Sequence, residues 1–154
     1  MQSKSTLAYY IWEGLLTGIA NGIGVTILAG SGGGAGSTKH PATSSANNPY
    51  MEGLKTRSMS ETKGHVHGGP IPPGKYAIKK PRIHNHLGFS AELVHPRWKP
   101  MGRDGFYIHG RGPHGSDGCI VPLDPRQFQN LMSALTASDG GTLYVEESME
   151  GGFA

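Results

Sequence analysis

The sequence predicts a mainly β fold of the α+β class with a single helix near its carboxyl end. Among 154 residues there are 25 glycines and 11 prolines, nearly twice the ordinary share. Because a glycine in a helix interior costs about 1 kcal/mol relative to alanine, this composition excludes a helical bundle. Short β-prone runs bounded by turn residues, and one stretch of helical periodicity, complete the prediction. The length suits one domain that spans residues 1–154.

The amino-terminal part predicts a β-hairpin. Two β-prone runs, Leu7 to Leu16 and Ile23 to Leu28, flank Asn21-Gly22, a dipeptide that favours a tight turn with positive φ at both positions. Residues 30–67 are rich in Gly, Ser and Asn and show no hydrophobic period. We expect a long loop there, and loops of this length in small domains are usually functional or disordered.

Three further strands are predicted in the middle of the chain. The turn at Gly68–Gly74 leads into a strand over Lys75–Ile83, which Pro81 should end or place at a sheet edge. Two more β-prone runs cover Ala91–His95 and Gly105–His109. In the second, period-two alternation separates Phe106 and Ile108 from Tyr107 and His109.

The helix is predicted after Asp124, an N-cap residue followed by Pro125 at the first helical position. Apolar residues recur at helical spacing at Phe128, Leu131, Met132 and Leu135. Asp139-Gly140-Gly141 should end the helix, and Thr142–Glu147 should form a closing strand.

Charge and cysteine content narrow the function classes. The net charge of +3 is spread without a run of four basic residues, so no nucleic acid partner is implied. The uncharged stretch over residues 15–30 contains Asn21 and four glycines, which excludes a membrane-spanning helix there. Tyr9, Tyr10, Trp12 and Glu13 also argue against a secretory signal. The one cysteine, Cys119, is either a buried small residue or a reactive thiol.

The chemistry-bearing residues are concentrated between His109 and Cys119. A thiol near its ordinary pKa is only a few per cent thiolate at neutral pH, so a cysteine nucleophile needs a base nearby. His109, at the end of a predicted strand, is the favoured base, and His114 is the alternative. The backbone N–H groups of Gly118 and Cys119 are candidates for an oxyanion hole.

These residues resemble a known family. Tyr107-Ile108-His109-Gly110, followed by Gly115-Ser116-Asp117-Gly118-Cys119-Ile120, resembles the His-Gly and Ser-x-Gly-Cys signature of the YkuD-type L,D-transpeptidases. The run from Gly69 to Tyr76 is similar to one in compact L,D-transpeptidase-like effectors delivered by type VI secretion. The resemblance implies a β-sandwich or β-barrel catalytic domain with one helix after the cysteine.

The resemblance also implies roles for individual residues. Cys119 would attack a carbonyl in a peptidoglycan stem tetrapeptide and form a thioester, and His109 would be its base. Ser116 is a further catalytic candidate, which either holds the loop as a turn residue or forms a hydrogen bond near His109. Asp117 and Val121 stand where many members have other residues, so the usual partner for the substrate carboxylate is missing and Arg126 or Arg111 would replace it. Further candidate substrate contacts are Tyr107, Gly110 and Ser31.

The function implied by the resemblance is that of an antibacterial effector without a cofactor. Water as acceptor would trim tetrapeptides as an L,D-carboxypeptidase, and a D-amino acid would give exchange. The expected partners are the stem peptide, a cognate immunity protein and a component of the secretion apparatus. We expect synthesis in the cytoplasm and delivery to the periplasm of a target bacterium.

Two alternatives remain at the level of sequence. One is a non-catalytic module that binds peptidoglycan through its glycine-rich loops. The other is a metal-dependent hydrolase, because paired histidines on one strand face can bind zinc. The histidines concerned are His40, His65, His67, His84, His86 and His95. No carboxylate or cysteine stands at a typical spacing beside them, so we expect no metal and interpret them as solvated loop residues.

Overall fold

The computed structural model describes residues 4–32, 69–85, 87–96, 100, 103–110 and 118–150. These residues contain nine strands and one α-helix. The strands are β1 (Ser5–Tyr10), β2 (Leu15–Ala20), β3 (Ile23–Ser31), β4 (Gly74–Ile78), β5 (Arg82–His84), β6 (Gly88–Val94), β7 (Phe106–Ile108), β8 (Ile120–Pro122) and β9 (Gly141–Glu146). The helix, α1, covers Pro125–Ala137. No helix in the described ranges is long and apolar enough to cross a membrane, and α1 is the only α-helix in those ranges.

The sheet closes on itself. Its strand order is β4-β9-β1-β2-β3-β8-β7-β6-β5, and an additional pairing of β4 with β6 completes a ring of eight strands. Strand β5 extends from this ring along β6. The pairs β1–β9 and β7–β8 are parallel, and the other pairs are antiparallel. The predicted fold, mainly β and barrel-like with a helix after the cysteine, is confirmed for the residues described.

The amino-terminal hairpin differs from the prediction in one respect. Asn21 and Gly22 form the turn between β2 and β3 with φ of 50° and 80°, as an Asn-Gly dipeptide favours. The predicted strand over Leu7–Leu16 is wrong as one piece, because the chain turns at residues 11–14 and Gly14 adopts φ of 62°. The turn lets β1 pair with β2 on one edge and with β9 on the other.

The loop predicted for residues 30–67 also begins later than expected. Gly30 and Ser31 still belong to β3 and pair with Val121 and Ile120 of β8. Residues 33–68 lie outside the described residues.

The strand predicted over Lys75–Ile83 is two strands. β4 ends at Ile78 and β5 begins at Arg82, with Pro81 between them. Proline has no N–H to donate to a sheet, so the ladder is interrupted there, yet β4 and β5 both pair with β6.

The helix is confirmed with its predicted ends. The Asp124 carboxylate accepts the Arg126 backbone N–H at 2.8 Å, and Asp139 and Gly140 end the helical segment with φ of 57° and 84°. Leu131, Met132 and Leu135 are buried. The core is formed mainly by buried residues of the ring together with this face of α1.

Candidate active site

The register of β7 and β8 brings Cys119 and His109 to one face of the sheet. Ile108 pairs with Ile120 across these parallel strands, and both are fully buried. Since side chains alternate along a strand, the residues next to them point to the opposite, outward face. Those residues are Tyr107 and His109 on one strand and Cys119, just before the other. The His109 N–H donates to the Ile120 carbonyl at 3.1 Å, which continues the ladder past β7.

His109 has the protonation pattern of a general base. Its ring Nδ1 lies 2.8 Å from the Gly110 carbonyl oxygen, and a carbonyl can only accept. Nδ1 therefore carries the proton, and Nε2 holds the lone pair. Burial lowers the pKa of His109, and the bond to the Gly110 carbonyl opposes this only in part. The neutral imidazole is thus favoured at neutral pH, as a base requires.

Cys119 is nearly enclosed, with 9% of its surface exposed. Its Sγ lies 3.7 Å from the Gly105 carbonyl oxygen, within reach of a weak S–H bond. Tyr107 is its neighbour on the outward face. Burial raises the pKa of Tyr107 most, and the negative charges of Glu92 and of the Cys119 thiolate raise it further, while Arg82 opposes them. The Tyr107 hydroxyl therefore remains a hydrogen-bond donor beside the thiol.

A buried serine orients the peptide group before the nucleophile. The Ser31 hydroxyl donates to the Gly118 carbonyl at 3.0 Å and accepts the Ile71 N–H at 2.9 Å. In a trans peptide the carbonyl and the following N–H point in opposite directions. By holding the Gly118 carbonyl inward, Ser31 turns the Cys119 N–H away from the interior. That N–H is one of the two predicted oxyanion donors.

The conformation of Gly118 is one that only glycine accommodates here. Its φ is 123°, and an added Cβ would lie 2.6 Å from Arg103 Nη2 and 2.8 Å from the Phe106 ring. The buried Arg103 guanidinium donates to the carbonyls of Gly69 and Pro70 at 2.9 and 2.8 Å. It also lies 5.3 Å from the Phe106 ring centroid. Ser31 therefore connects residue 71 to the backbone that carries the thiol, and Arg103 binds residues 69 and 70 while it packs beside Gly118.

Arg103 was not among the residues predicted from the sequence. It stands in a Gly-Arg-Asp-Gly segment that has the composition of an exposed turn, yet only 6% of its surface is exposed. Its partners are backbone carbonyls more than thirty residues away in the chain. The sequence signal available was the Gly-Pro pair at 69–70, which identifies the partner segment but not the residue that binds it.

The residues predicted to contact the substrate lie in different environments. Tyr107 lies on the outward face, and Gly110 lies against the Phe128 ring of α1. Arg126 is exposed in the first turn of that helix. Ser31 is fully buried and bonded within the protein, so its place is that of a positioning residue, not of a substrate contact. Ser116, Arg111 and His114 lie outside the described residues.

The interpretation of His84 as a solvated loop residue is wrong. It lies in β5, its Nδ1 is 2.7 Å from the Ser90 hydroxyl, and its ring centroid is 4.8 Å from that of Tyr107. Within the described ranges no three His, Cys, Asp or Glu side chains are grouped so as to hold a metal ion. His40, His65, His67 and His86 lie outside those ranges.

A cavity of about 480 Å³ lies beside β6 and β7. It is lined by Gly105, whose carbonyl faces Cys119 Sγ, and by Glu92, His95 and Asp104, among others. A slightly larger cavity, about 510 Å³, lies between β3 and α1. Neither lining contains Cys119 or His109, and of these two cavities the one at Gly105 includes the carbonyl group whose oxygen lies 3.7 Å from Cys119 Sγ.

Solved structures with this fold are L,D-transpeptidases. The L,D-transpeptidase of Xylanimonas cellulosilytica matches with a TM-score of 0.54 and 16% identity over 95% of this chain and 62% of that one. The enzyme of Stackebrandtia nassauensis matches with a TM-score of 0.51 and 14% identity over 97% and 58%, and that of Mycobacterium smegmatis with 0.50 and 14% over 93% and 58%.

The chain thus spans about three fifths of the length of the structures it resembles, and at these identities the likeness is one of fold. No family model matches the sequence, and no curated protein matches it. The class that the fold defines is the L,D-transpeptidase-type barrel.

Proposed function

We propose that this protein is a cysteine acyltransferase or hydrolase that acts on the stem peptides of peptidoglycan. The observation that carries the proposal is the placement of Cys119 and His109 on one outward face of the parallel β7–β8 pair, with Nε2 of the histidine left as the base. The similarity in fold to L,D-transpeptidases supports the substrate class.

The reaction follows from these groups. His109 Nε2 takes the thiol proton of Cys119 as Sγ bonds to the carbonyl carbon at the L-centre of the stem's diamino acid. The C–N bond to the terminal D-alanine then breaks, and the imidazolium returns its proton to the departing amine. The product is a thioester. Attack on it by water releases a tripeptide, whereas attack by a D-amino acid amine forms a new tetrapeptide, and either restores the thiol.

The biological role that we propose is that of an effector toxin, made in the cytoplasm and delivered to the periplasm of a competing bacterium. Its support is the resemblance of residues 69–76 to a run in secreted effectors and the short interval of ten residues from His109 to Cys119. Loss of tetrapeptides would deprive the target of donors for crosslinking. Such a toxin requires a cognate immunity protein in the producer and a carrier in the secretion apparatus.

Purified sacculi test the chemistry. Mass spectrometry of muropeptides should show loss of tetrapeptides with the native protein and none with Cys119→Ala, while His109→Ala should be slower by about 10²–10⁴-fold. Thr26→Ala, at an exposed position of β3, is the matched control and should retain full activity. Full activity of both site variants would refute the cysteine mechanism.

Two further arms of this experiment address acceptor and role. Added D-amino acid labelled with a heavy isotope should enter tetrapeptides if exchange occurs, whereas tripeptides alone indicate trimming. The native protein should be toxic when exported to the periplasm and harmless in the cytoplasm, and Cys119→Ala should be harmless in both. Toxicity confined to the cytoplasm would contradict the proposed role.

A further inference from the structure

A second group of polar side chains lies on the same outward face, across β5 and β6 from the thiol. Arg82 of β5 is opposite Ser90 of β6, and Glu92 of β6 is opposite Tyr107 of β7. Side chains at directly paired positions share a face of the sheet. Arg82 is therefore on the face that presents Tyr107, His109 and Cys119.

Arg82 is held in place by a chain of hydrogen bonds that begins at a buried residue. Its Nε lies 3.3 Å from His84 Nε2, and His84 Nδ1 lies 2.7 Å from the Ser90 hydroxyl. Ser90 is fully buried and donates to the Gly88 carbonyl at 3.1 Å.

The directions of these bonds are determined by chemistry. An arginine Nε–H can only donate, so His84 Nε2 accepts and Nδ1 carries the proton that is donated to Ser90. The His84 ring also packs edge-on against Tyr107. Each donor and acceptor in this series of hydrogen bonds, from the Gly88 carbonyl to Arg82 Nε, has a consistent role. The series does not use the two terminal nitrogens of the Arg82 guanidinium. They form a fork that matches a carboxylate.

We propose that Arg82 binds a carboxylate of the substrate, in the role that the sequence alone assigned to Arg126 or Arg111. This inference rests on the proposed function and names a binding residue for it. His84 and Ser90 are positioning residues for Arg82. The local field also agrees, because Arg82 and Glu92 act on Tyr107 with opposite signs, which places a positive and a negative charge within range of the hydroxyl beside the thiol.

The distance favours one carboxylate over another. Strands β5 and β8 are separated by three interstrand steps, about 14 Å in all. The carboxylate of the departing D-alanine is only three bonds from the carbonyl under attack. It therefore stays near the thiol, beyond the reach of the Arg82 side chain. A diamino acid that ends in its own carboxylate, such as 2,6-diaminopimelate, places that group six bonds away. Its neighbouring ammonium would then face Glu92, which lies diagonally from Arg82 at about 7–8 Å.

Three synthetic tetrapeptides identify the group that Arg82 binds. One contains diaminopimelate, one contains lysine, which lacks the side-chain carboxylate, and one contains diaminopimelate with an amidated terminal D-alanine. We expect Arg82→Gln to raise KM about tenfold or more for both diaminopimelate peptides, with kcat changed less than twofold and no effect on the lysine peptide. Arg82→Lys should recover part of the loss, and Ser90→Ala should show a smaller rise in KM.

The controls separate binding from folding. Lys80→Gln removes one exposed positive charge two residues away and should change none of these values. The rate of Cys119 alkylation by iodoacetamide should be the same in Arg82→Gln as in the native protein. If the loss follows the terminal carboxylate, Arg82 still binds a carboxylate but on the departing residue. Equal losses on all three peptides, or none, would overturn the proposal.

Calorimetric binding to Cys119→Ala distinguishes this inference from the proposed function. If the native protein turns over no peptide yet Cys119→Ala binds the diaminopimelate peptide and loses that binding with Arg82→Gln, the reaction is wrong and the binding residue stands. If the native protein turns over the peptide but binding is unchanged by Arg82→Gln, the proposed reaction stands and Arg82 is not the binding residue.

Discussion

The two sides of the barrel hold their backbone in place by different means. On the side formed by β9, β1, β2 and β3, strands of six to nine residues are joined by continuous ladders, with six paired positions between β1 and β9. On the other side β7 and β8 have three residues each and share one paired position. There, side chains bind the backbone instead: Ser31 binds the Gly118 carbonyl next to Cys119, and Arg103, packed beside Gly118, binds the carbonyls of Gly69 and Pro70.

The difference between the two sides lies in how their backbone hydrogen-bonding groups are satisfied. A long ladder satisfies backbone groups wherever strands run side by side and asks little of individual side chains. A short ladder leaves the ends of its strands free to present His109 and Cys119, but each backbone group then needs its own partner. Substitutions of residues that hold the backbone beside the thiol, including Ser31 at the end of β3, should therefore affect activity and stability together, whereas other substitutions in β9, β1, β2 and β3 should affect stability alone.

The largest effect on activity and stability together is expected from Gly118→Ala on the short-strand side. The added methyl would lie 2.6 Å from Arg103 Nη2 at a backbone φ of 123°, so either the guanidinium or the peptide carrying Cys119 must move. We expect thioester formation to fall by about 10²–10³-fold, the effect of losing an oxyanion donor, with a loss of ~1–3 kcal/mol in unfolding free energy. Single-turnover kinetics and urea unfolding measure the two.

Gly24→Ala is the matched change on the long-strand side. Gly24 lies in β3 with nothing within 4 Å of an added Cβ, so both quantities should stay near their native values. If Gly118→Ala were as harmless as Gly24→Ala, the tight packing around Gly118 would have no part in activity.

A smaller effect is expected from Ser31→Ala. The change removes the partner of the buried Ile71 N–H and of the Gly118 carbonyl, which should cost about 1–3 kcal/mol of unfolding free energy. Because the Gly118–Cys119 peptide is then free to tilt, thioester formation should also slow.

Thr17→Val provides the comparison for Ser31→Ala. Thr17 makes one partly buried bond to the Val25 carbonyl within the β2–β3 hairpin, so its loss should cost about 0.5–1.5 kcal/mol with activity unchanged. A native rate for Ser31→Ala would show that Ser31 stabilises the fold without orienting the nucleophile.

The smallest effect concerns the pH dependence of stability. The pKa of His109 is lowered in the folded protein by burial, while the unfolded chain has an ordinary histidine pKa near ~6.5. As pH falls below that value the unfolded chain takes up a proton first, so the unfolding free energy falls, and it levels off once pH is below the folded pKa.

His109→Gln should remove this acid-range loss, as urea unfolding of both proteins from neutral to acidic pH would show. The acid limb of kcat/KM should lie below pH ~6.5 for the same reason. An acid limb above that value would contradict a buried, neutral His109.

Local sequence patterns were sufficient for several elements. The turn at Asn21-Gly22 and the helix from Asp124 to Asp139 depend on backbone preferences and caps that act within a few residues. The split at Gly14 was missed because a positive φ there is useful only once β1 pairs on both edges.

The candidate site shows the same division. The sequence by itself determined the order and spacing of His109 and Cys119 and their alternation with buried isoleucines, since these are properties of adjacent residues. The parallel pairing of β7 with β8, the burial of Arg103 against a segment thirty-three residues away, and the bonds from Ser90 through His84 to Arg82 were decided by the tertiary structure. Contacts of that kind depend on which strands become neighbours, and strand pairing is settled by the packing of the whole barrel.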